Sequence, residues 1–225
     1  MRSSGSARRG PGNRRKVLSA AGAASPVLAV VLAAGGSTRM GRPKQVAELD
    51  GRPLLAHVLA AAAEAPLDRV VVALGGAAAE VLDRVELGRA EPLVVEGWAA
   101  GMGHVLASTL AQAGGDWEAV VVLLGDQPLV PGRAVARVVE AWRAGAGPMV
   151  TATYDGRPGH PKLFDRRLLP DLLRLTGDTG ARDLLAAHPD RVHRVEVGDL
   201  GSDADIDVEA DLKRVGNLLT NGRVP

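Results

Sequence analysis

The sequence predicts an α/β fold, a mostly parallel sheet covered by helices on both faces. Three observations carry this reading. From Pro26 onward, short β-branched runs alternate with helix-length segments. Aromatics make up only 2% of the 225 residues, so the core is aliphatic, as strands buried on both faces require. The first apolar run, Val27 to Val31, breaks directly into a glycine-rich loop, as α/β nucleotide-binding domains begin.

In chain order, the apolar run 27–33 is the first strand and 53–64 the first helix. Strand 69–74, helix 77–87, strand 92–95 and helix 103–113 follow. Strand 119–124 is the continuous run Ala-Val-Val-Val-Leu-Leu, then helix 131–144 and strand 149–154. Strand 162–164, helices 166–175 and 180–187, strand 192–197 and helix 207–219 complete the set. No repeat or linker interrupts residues 27–225, so one domain, 26–225, is expected behind a disordered basic tail, 1–25.

The formal charge of +1 hides an asymmetry. Residues 1–26 carry six basic residues and no acid, leaving 21 basic and 26 acidic residues for the remainder. A mildly acidic body with five scattered aromatics, Trp98, Trp117, Trp142, Tyr154 and Phe164, argues against nucleic-acid binding. The absence of cysteine removes disulfides, thiol nucleophiles and cysteine metal sites, and fits a cytoplasmic protein. Arg14-Arg15-Lys16 resembles a twin-arginine signal, but its apolar stretch would run into the residues the glycine loop needs. No apolar segment is long enough to cross a membrane.

The loop reads Leu32-Ala33-Ala34-Gly35-Gly36-Ser37-Thr38-Arg39-Met40-Gly41-Arg42-Pro43-Lys44. Glycines let backbone N–H groups approach phosphate oxygens, and Arg39 and Lys44 supply positive charge. A tight turn alone would account for the glycines but not for the two cations. Arg42-Pro43 stands where a P-loop needs Lys and Ser/Thr, and no G-x-G-x-x-G follows the strand. A polyphosphate ligand bound differently from either is therefore expected.

The apolar run 119–124 stops at Gly125-Asp126-Gln127-Pro128. Ligands of open α/β sheets bind beyond the carboxyl ends of strands, where a carboxylate can hold a divalent cation against phosphate. Asp126 is thus a metal candidate, although an ordinary turn is the alternative. Asp205 and Asp207 precede the last helix, and Asp207 is equally readable as its cap. Gly159-His160-Pro161 reads as a turn, and Gly177-Asp178-Thr179-Gly180-Ala181-Arg182 as a loop entering a helix.

In this order, these segments resemble the MobA-like nucleotidyltransferase family, closest to the molybdenum cofactor cytidylyltransferases. The resemblance spans about residues 27–215. It rests on 32–41, Pro43-Lys44-Gln45 with 51–55, Gly101-Met102, 125–128, 159–161, 177–182 and Asp205-Ile206-Asp207. One departure bears on the acceptor: Gly103-His104-Val105 stands where the family usually carries small hydroxyl residues.

The resemblance implies a three-layer, Rossmann-like (GT-A-like) fold and transfer of CMP from CTP to the phosphate of a molybdopterin-type acceptor. It places Leu32 to Ser37, Arg39, Lys44, Gly101 and Asp126 on the nucleotide, with Arg39, Lys44 and Asp126 catalytic. Gln127, Pro128, His160, Asp178 and Arg182 fall to the acceptor. Mg²⁺ falls to Asp126 and Asp207, with Asp205 as substitute. A molybdoenzyme or its chaperone would receive the product. Guanylyl transfer from GTP, an NAD(P)H-dependent oxidoreductase of small aromatic compounds and a non-catalytic nucleotide-binding regulator are the alternatives.

Overall fold

The computed structural model describes residues 25–36 and 40–220. The expectations for the basic tail, for Ser37 and for Arg39 lie outside the described residues.

The strands are β1 (Val27–Ala33), β2 (Glu48–Leu49), β3 (Arg52–Pro53), β4 (Arg69–Leu74), β5 (Glu91–Val94), β6 (Ala119–Leu124), β7 (Met149–Tyr154), β8 (Arg157–Asp165) and β9 (Val192–Glu196). The helices are α1 (Leu54–Glu64), α2 (Ala78–Arg84), α3 (Met102–Ala113), α4 (Gly132–Arg143), α5 (Leu169–Leu172), α6 (Arg182–Ala187) and α7 (Glu209–Thr220). Seven strands form one sheet in the order β5-β4-β1-β6-β8-β7-β9, and only β8 runs against the others.

Strand alternation sorts side chains into two cores. Val27, Ala29 and Val31 pack with Val70, Val72, Val121 and Leu163 beneath α1, α2 and α4. Leu28 and Val30 pack with Val71, Val120, Val122, Met149 and Phe164 beneath α3, α5 and α6. Both faces are thus buried, which is why the strands read as unbroken apolar runs. A smaller core joins α7 to β2 through Leu49, Leu54, Leu129, Ile206, Leu212 and Val215.

Three local readings change. The hairpin β2–β3 is closed by Asp50 and Gly51, both at positive φ (50° and 71°), the two-residue turn that an Asp-Gly pair favours. The expected helix 166–175 is a 3-10 turn followed by the short α5, with Pro170 at its start. Gly159-His160-Pro161 lies within β8 instead of in a turn. These three residues have no ladder partner on β6 or β7. Instead, Thr151 Oγ1 donates to the Gly159 carbonyl (3.1 Å) and the Tyr154 hydroxyl to that of His160 (2.7 Å). Among the described residues, no helix is long and apolar enough to cross a membrane.

Candidate functional site

The chain runs from β1 through β4 to β5 on one side, then crosses to β6 on the other side of β1. This reversal makes the carboxyl ends of β1 and β6 a topological switch point. The glycine loop leaves β1 there, and Gly125-Asp126 leaves β6. The two ends touch: the Gly125 N–H donates to the Leu32 carbonyl (2.9 Å), and a Cβ at Gly125 would lie 3.0 Å from that of Ala33.

A cavity of about 300 Å³ opens above this point, lined by Leu32 to Gly36, Lys44, Gly101 and Asp126 among the expected nucleotide residues. Trp98, Gln45 and Val105 also line it; none of the three was expected on the nucleotide, although Gln45 and Val105 fall in segments singled out from the sequence. Gln45 is 2% exposed, and its amide donates to the carbonyls of Ala33 (2.6 Å) and Gly35 (3.1 Å), pinning the loop where it leaves the strand. Trp98 packs over Gly75 and Gly76, where an added Cβ would meet the indole at 2.9 and 2.8 Å.

A second cavity, of about 220 Å³, shares the wall formed by Leu32, Met102, Leu124, Asp126 and Asp178. His160, Lys162, Arg182, Asp205 and Asp207 line its remainder. Burial, followed by the charges of Lys162 and Arg182, holds the His160 imidazole well below its ordinary value, so it is neutral at physiological pH. Burial also lowers the Lys162 ammonium.

Lys44 lines the first cavity beside Asp126, which lines both. Its ammonium pairs with Asp126 and, at 3.2 Å, with Asp207 Oδ1. Burial alone would lower this ammonium, but the two carboxylates raise it further. Asp207 is held by its neighbour on α7, since its N–H donates to Asp211 Oδ2 (3.1 Å). The Ile206 N–H donates to the Asp126 carbonyl (3.0 Å), fastening segment 205–207 to the end of β6.

Asp205 turns away, accepting from Gln127 Nε2 at 2.9 Å. Burial and the neighbouring Asp126 and Asp207 push its carboxyl above the usual range. Among the described residues, no group of three or more His, Cys, Asp or Glu is arranged around a metal position. Two carboxylates converging on one cation suit a divalent ion whose other ligands come from phosphate oxygens and water.

Other expectations shift. Gln127 and Pro128 line neither cavity. Gln127 is 5% exposed and braces Asp203 and Asp205 from behind. Gly103 and His104 also line neither cavity. A Cβ at Gly103 would meet the Thr176 carbonyl at 2.6 Å, so this position admits the 176–178 loop closely, and its N–H donates to the Gly177 carbonyl (2.7 Å). His104 Nε2 meets the Glu96 carbonyl at 3.0 Å.

The chain is similar to GlmU of Streptomyces griseus, described as a bifunctional protein, with 40% identity over 114 residues. These are 49% of this chain and 24% of that protein, so the chain spans about a quarter of the relative's length. It is also similar to the crystal structure of the Mycobacterium tuberculosis Rv0371c homolog from Mycobacterium sp. strain JC1. Identity there is 34% and the TM-score 0.77, covering 87% of this chain and 97% of the other. The M. tuberculosis Rv0371c complex with manganese gives 30% identity and a TM-score of 0.72, covering 86% and 99%. The family model described as the MobA-like NTP transferase domain matches residues 29–192, and the chain belongs to that family.

Proposed function

We propose that this protein is a nucleotidyltransferase that moves CMP from CTP to the phosphate of a molybdopterin-type acceptor, releasing pyrophosphate. One observation carries the reading: two cavities, one at a glycine loop and one ringed by ionisable groups, share a wall at Asp126 beside Lys44. A group transferred between two bound molecules needs such a junction, with both held in reacting geometry.

Gly35 and Gly36 line the cavity in which the triphosphate would lie, where their amides would meet its oxygens. Lys44 reaches the same junction and would leave Asp126 and Asp207 for the phosphates, offsetting charge on the departing pyrophosphate. Arg39 would add to it from the loop. Asp126 and Asp207 would hold Mg²⁺, which when bound neutralises phosphate oxygens around the reacting phosphorus. An oxygen of the acceptor phosphate forms the new bond to the α-phosphorus, and the bond to the β-phosphate bridging oxygen breaks. That phosphate is already ionised near neutral pH, so the protein need not remove a proton.

Pyrophosphate release tests the proposal, measured with Mg²⁺ and molybdopterin and with CTP, GTP and ATP offered in parallel. Release mainly with CTP is expected. Release with GTP would reassign the base. No release with any nucleotide, with NAD(P)H consumed beside an aromatic acceptor, would replace transfer by redox chemistry.

A further inference from the structure

Lys162 occupies a position where an apolar residue belongs. It sits in β8 between β6 and β7, opposite Val122 and Thr151. Alternation puts it on the same face as Phe164, which is fully buried in the core beneath α3, α5 and α6. Yet Lys162 opens into the second cavity, and no hydrogen bond or ion pair links its ammonium to any described residue. Arg182, an exposed residue on the first turn of α6, lines the same cavity, and its guanidinium has no side-chain partner among the described residues. Burial and the nearby Arg182 both disfavour the charged ammonium, and only Asp203 favours it. A partly buried cation facing another cation is costly unless an anion arrives.

The carboxylates of the cavity do not remove this excess where it lies. Asp126 and Asp207 pair with Lys44, and Asp205 accepts from Gln127. Asp178, on the loop before α6, makes no ion pair with either cation. Resting on the transferase reading above, we propose that Lys162 and Arg182 form the anion site that grips the acceptor's phosphate monoester as it faces the α-phosphorus. Lys162 is the addition: it joins Arg182, which the resemblance already places on the acceptor, and favours acceptors bearing a phosphate dianion over neutral alcohols. The neutral His160 beside them donates or accepts a hydrogen bond without adding charge.

The test reads binding without turnover. Protein saturated with a non-hydrolysable α,β-methylene CTP analogue and Mg²⁺, so that the nucleotide site is filled, is titrated with phenyl phosphate and separately with inorganic phosphate, followed by ³¹P NMR. Phenyl phosphate should bind the wild-type protein. Lys162→Met and Arg182→Met should each bind it roughly ten- to a hundredfold more weakly. Lys162→Arg should recover most of the affinity, and all three variants should keep wild-type affinity for the CTP analogue, which also certifies their fold. Unchanged phenyl phosphate affinity in Lys162→Met overturns the proposal, as does a wild-type protein that binds inorganic phosphate but not phenyl phosphate. Lysine-dependent phosphate binding without pyrophosphate release from any nucleotide would keep the anion site and remove the reaction. Normal release with lysine-independent binding would do the reverse.

Discussion

Replacing Lys44 by methionine keeps the aliphatic stem and deletes the charge that pairs with two carboxylates beside the wall the cavities share. The Lys44 and Asp126 side chains are 17% and 19% exposed and that of Asp207 is 38%, so the trio is neither fully buried nor free in water. At 3.2 Å, in an effective dielectric of about 20, the Lys44–Asp207 attraction alone is about 5 kcal/mol. Most of that is offset by taking the ammonium out of water. Breaking fully buried pairs costs about 3–5 kcal/mol and exposed ones about 0–1 kcal/mol. Lys44→Met should therefore destabilise the fold by about 1–2 kcal/mol, a fall of roughly 2–8 °C in Tm for a chain of this length.

The pH dependence follows from the raised Lys44 ammonium. Its stabilisation is fully present below the ordinary lysine value of 10.5 and is lost as pH rises through the still higher folded value. The deficit of Lys44→Met should thus be level across neutral pH and close only in strong alkali. Turnover should suffer more than stability: one preorganised charge contact to the phosphates contributes about 3 kcal/mol, or roughly two orders of magnitude in kcat. Steady-state pyrophosphate release at saturating CTP, beside thermal melts from pH 6 to 11, measures both. A Lys44→Met protein that melts as expected but turns over within threefold of wild type would refute Lys44 as a phosphate contact and leave it a structural bridge.

Asp126→Asn should keep the fold and lose metal-dependent turnover by about a hundredfold, and near-normal turnover at saturating Mg²⁺ would remove Asp126 from the metal assignment. His160→Asn should raise the acceptor KM several-fold with little change in kcat, and because the imidazole is already neutral, the wild-type acceptor KM should show no histidine titration between pH 6 and 8. Asp205→Asn keeps an acceptor for Gln127; since the folded Asp205 carboxyl is raised, wild-type stability falls as pH rises from its ordinary value of 3.8 through the folded one. The variant should therefore melt higher than wild type at pH 7 and lose that advantage below pH 4. Gly101 has φ of 105°, and an added Cβ would lie 2.4 Å from the Gly177 carbonyl carbon, so Gly101→Ala should cost roughly 3 kcal/mol or more and displace the loop bearing Asp178, read as a lower Tm with a raised acceptor KM.

The sheet was legible because its strands are buried twice. Val27 to Ala33 and Ala119 to Leu124 pack into helices above and below, so burial on both faces leaves apolar runs that need no partner to be recognised. Segment 159–161 was not legible, because its glycine and proline advertise a turn. What keeps it in line with β8 is a pair of hydroxyls, Thr151 and Tyr154, which take the carbonyls that a ladder would have used.

The same distinction runs through the site. Asp126 sits next to the end of β6, so its position follows from local sequence plus the rule that ligands gather at those ends. Lys44, Gln45 and Lys162 take their places from the fold: Lys44 meets Asp126 and Asp207 from far along the chain, and Gln45 holds the loop that leaves β1. Gln45 looks like one more polar residue until its amide is seen on the carbonyls of Ala33 and Gly35, and Lys162 like a polar residue that merely opens a short strand. Alternation predicts an exposed lysine only where one face of the sheet is wet. Here α6 and the 176–182 loop cover that face, so the same alternation turns Lys162 inward, beside Arg182. A lysine on the face of buried Phe164, in a strand that proves to be central, stands out only once the second layer of helices is in place.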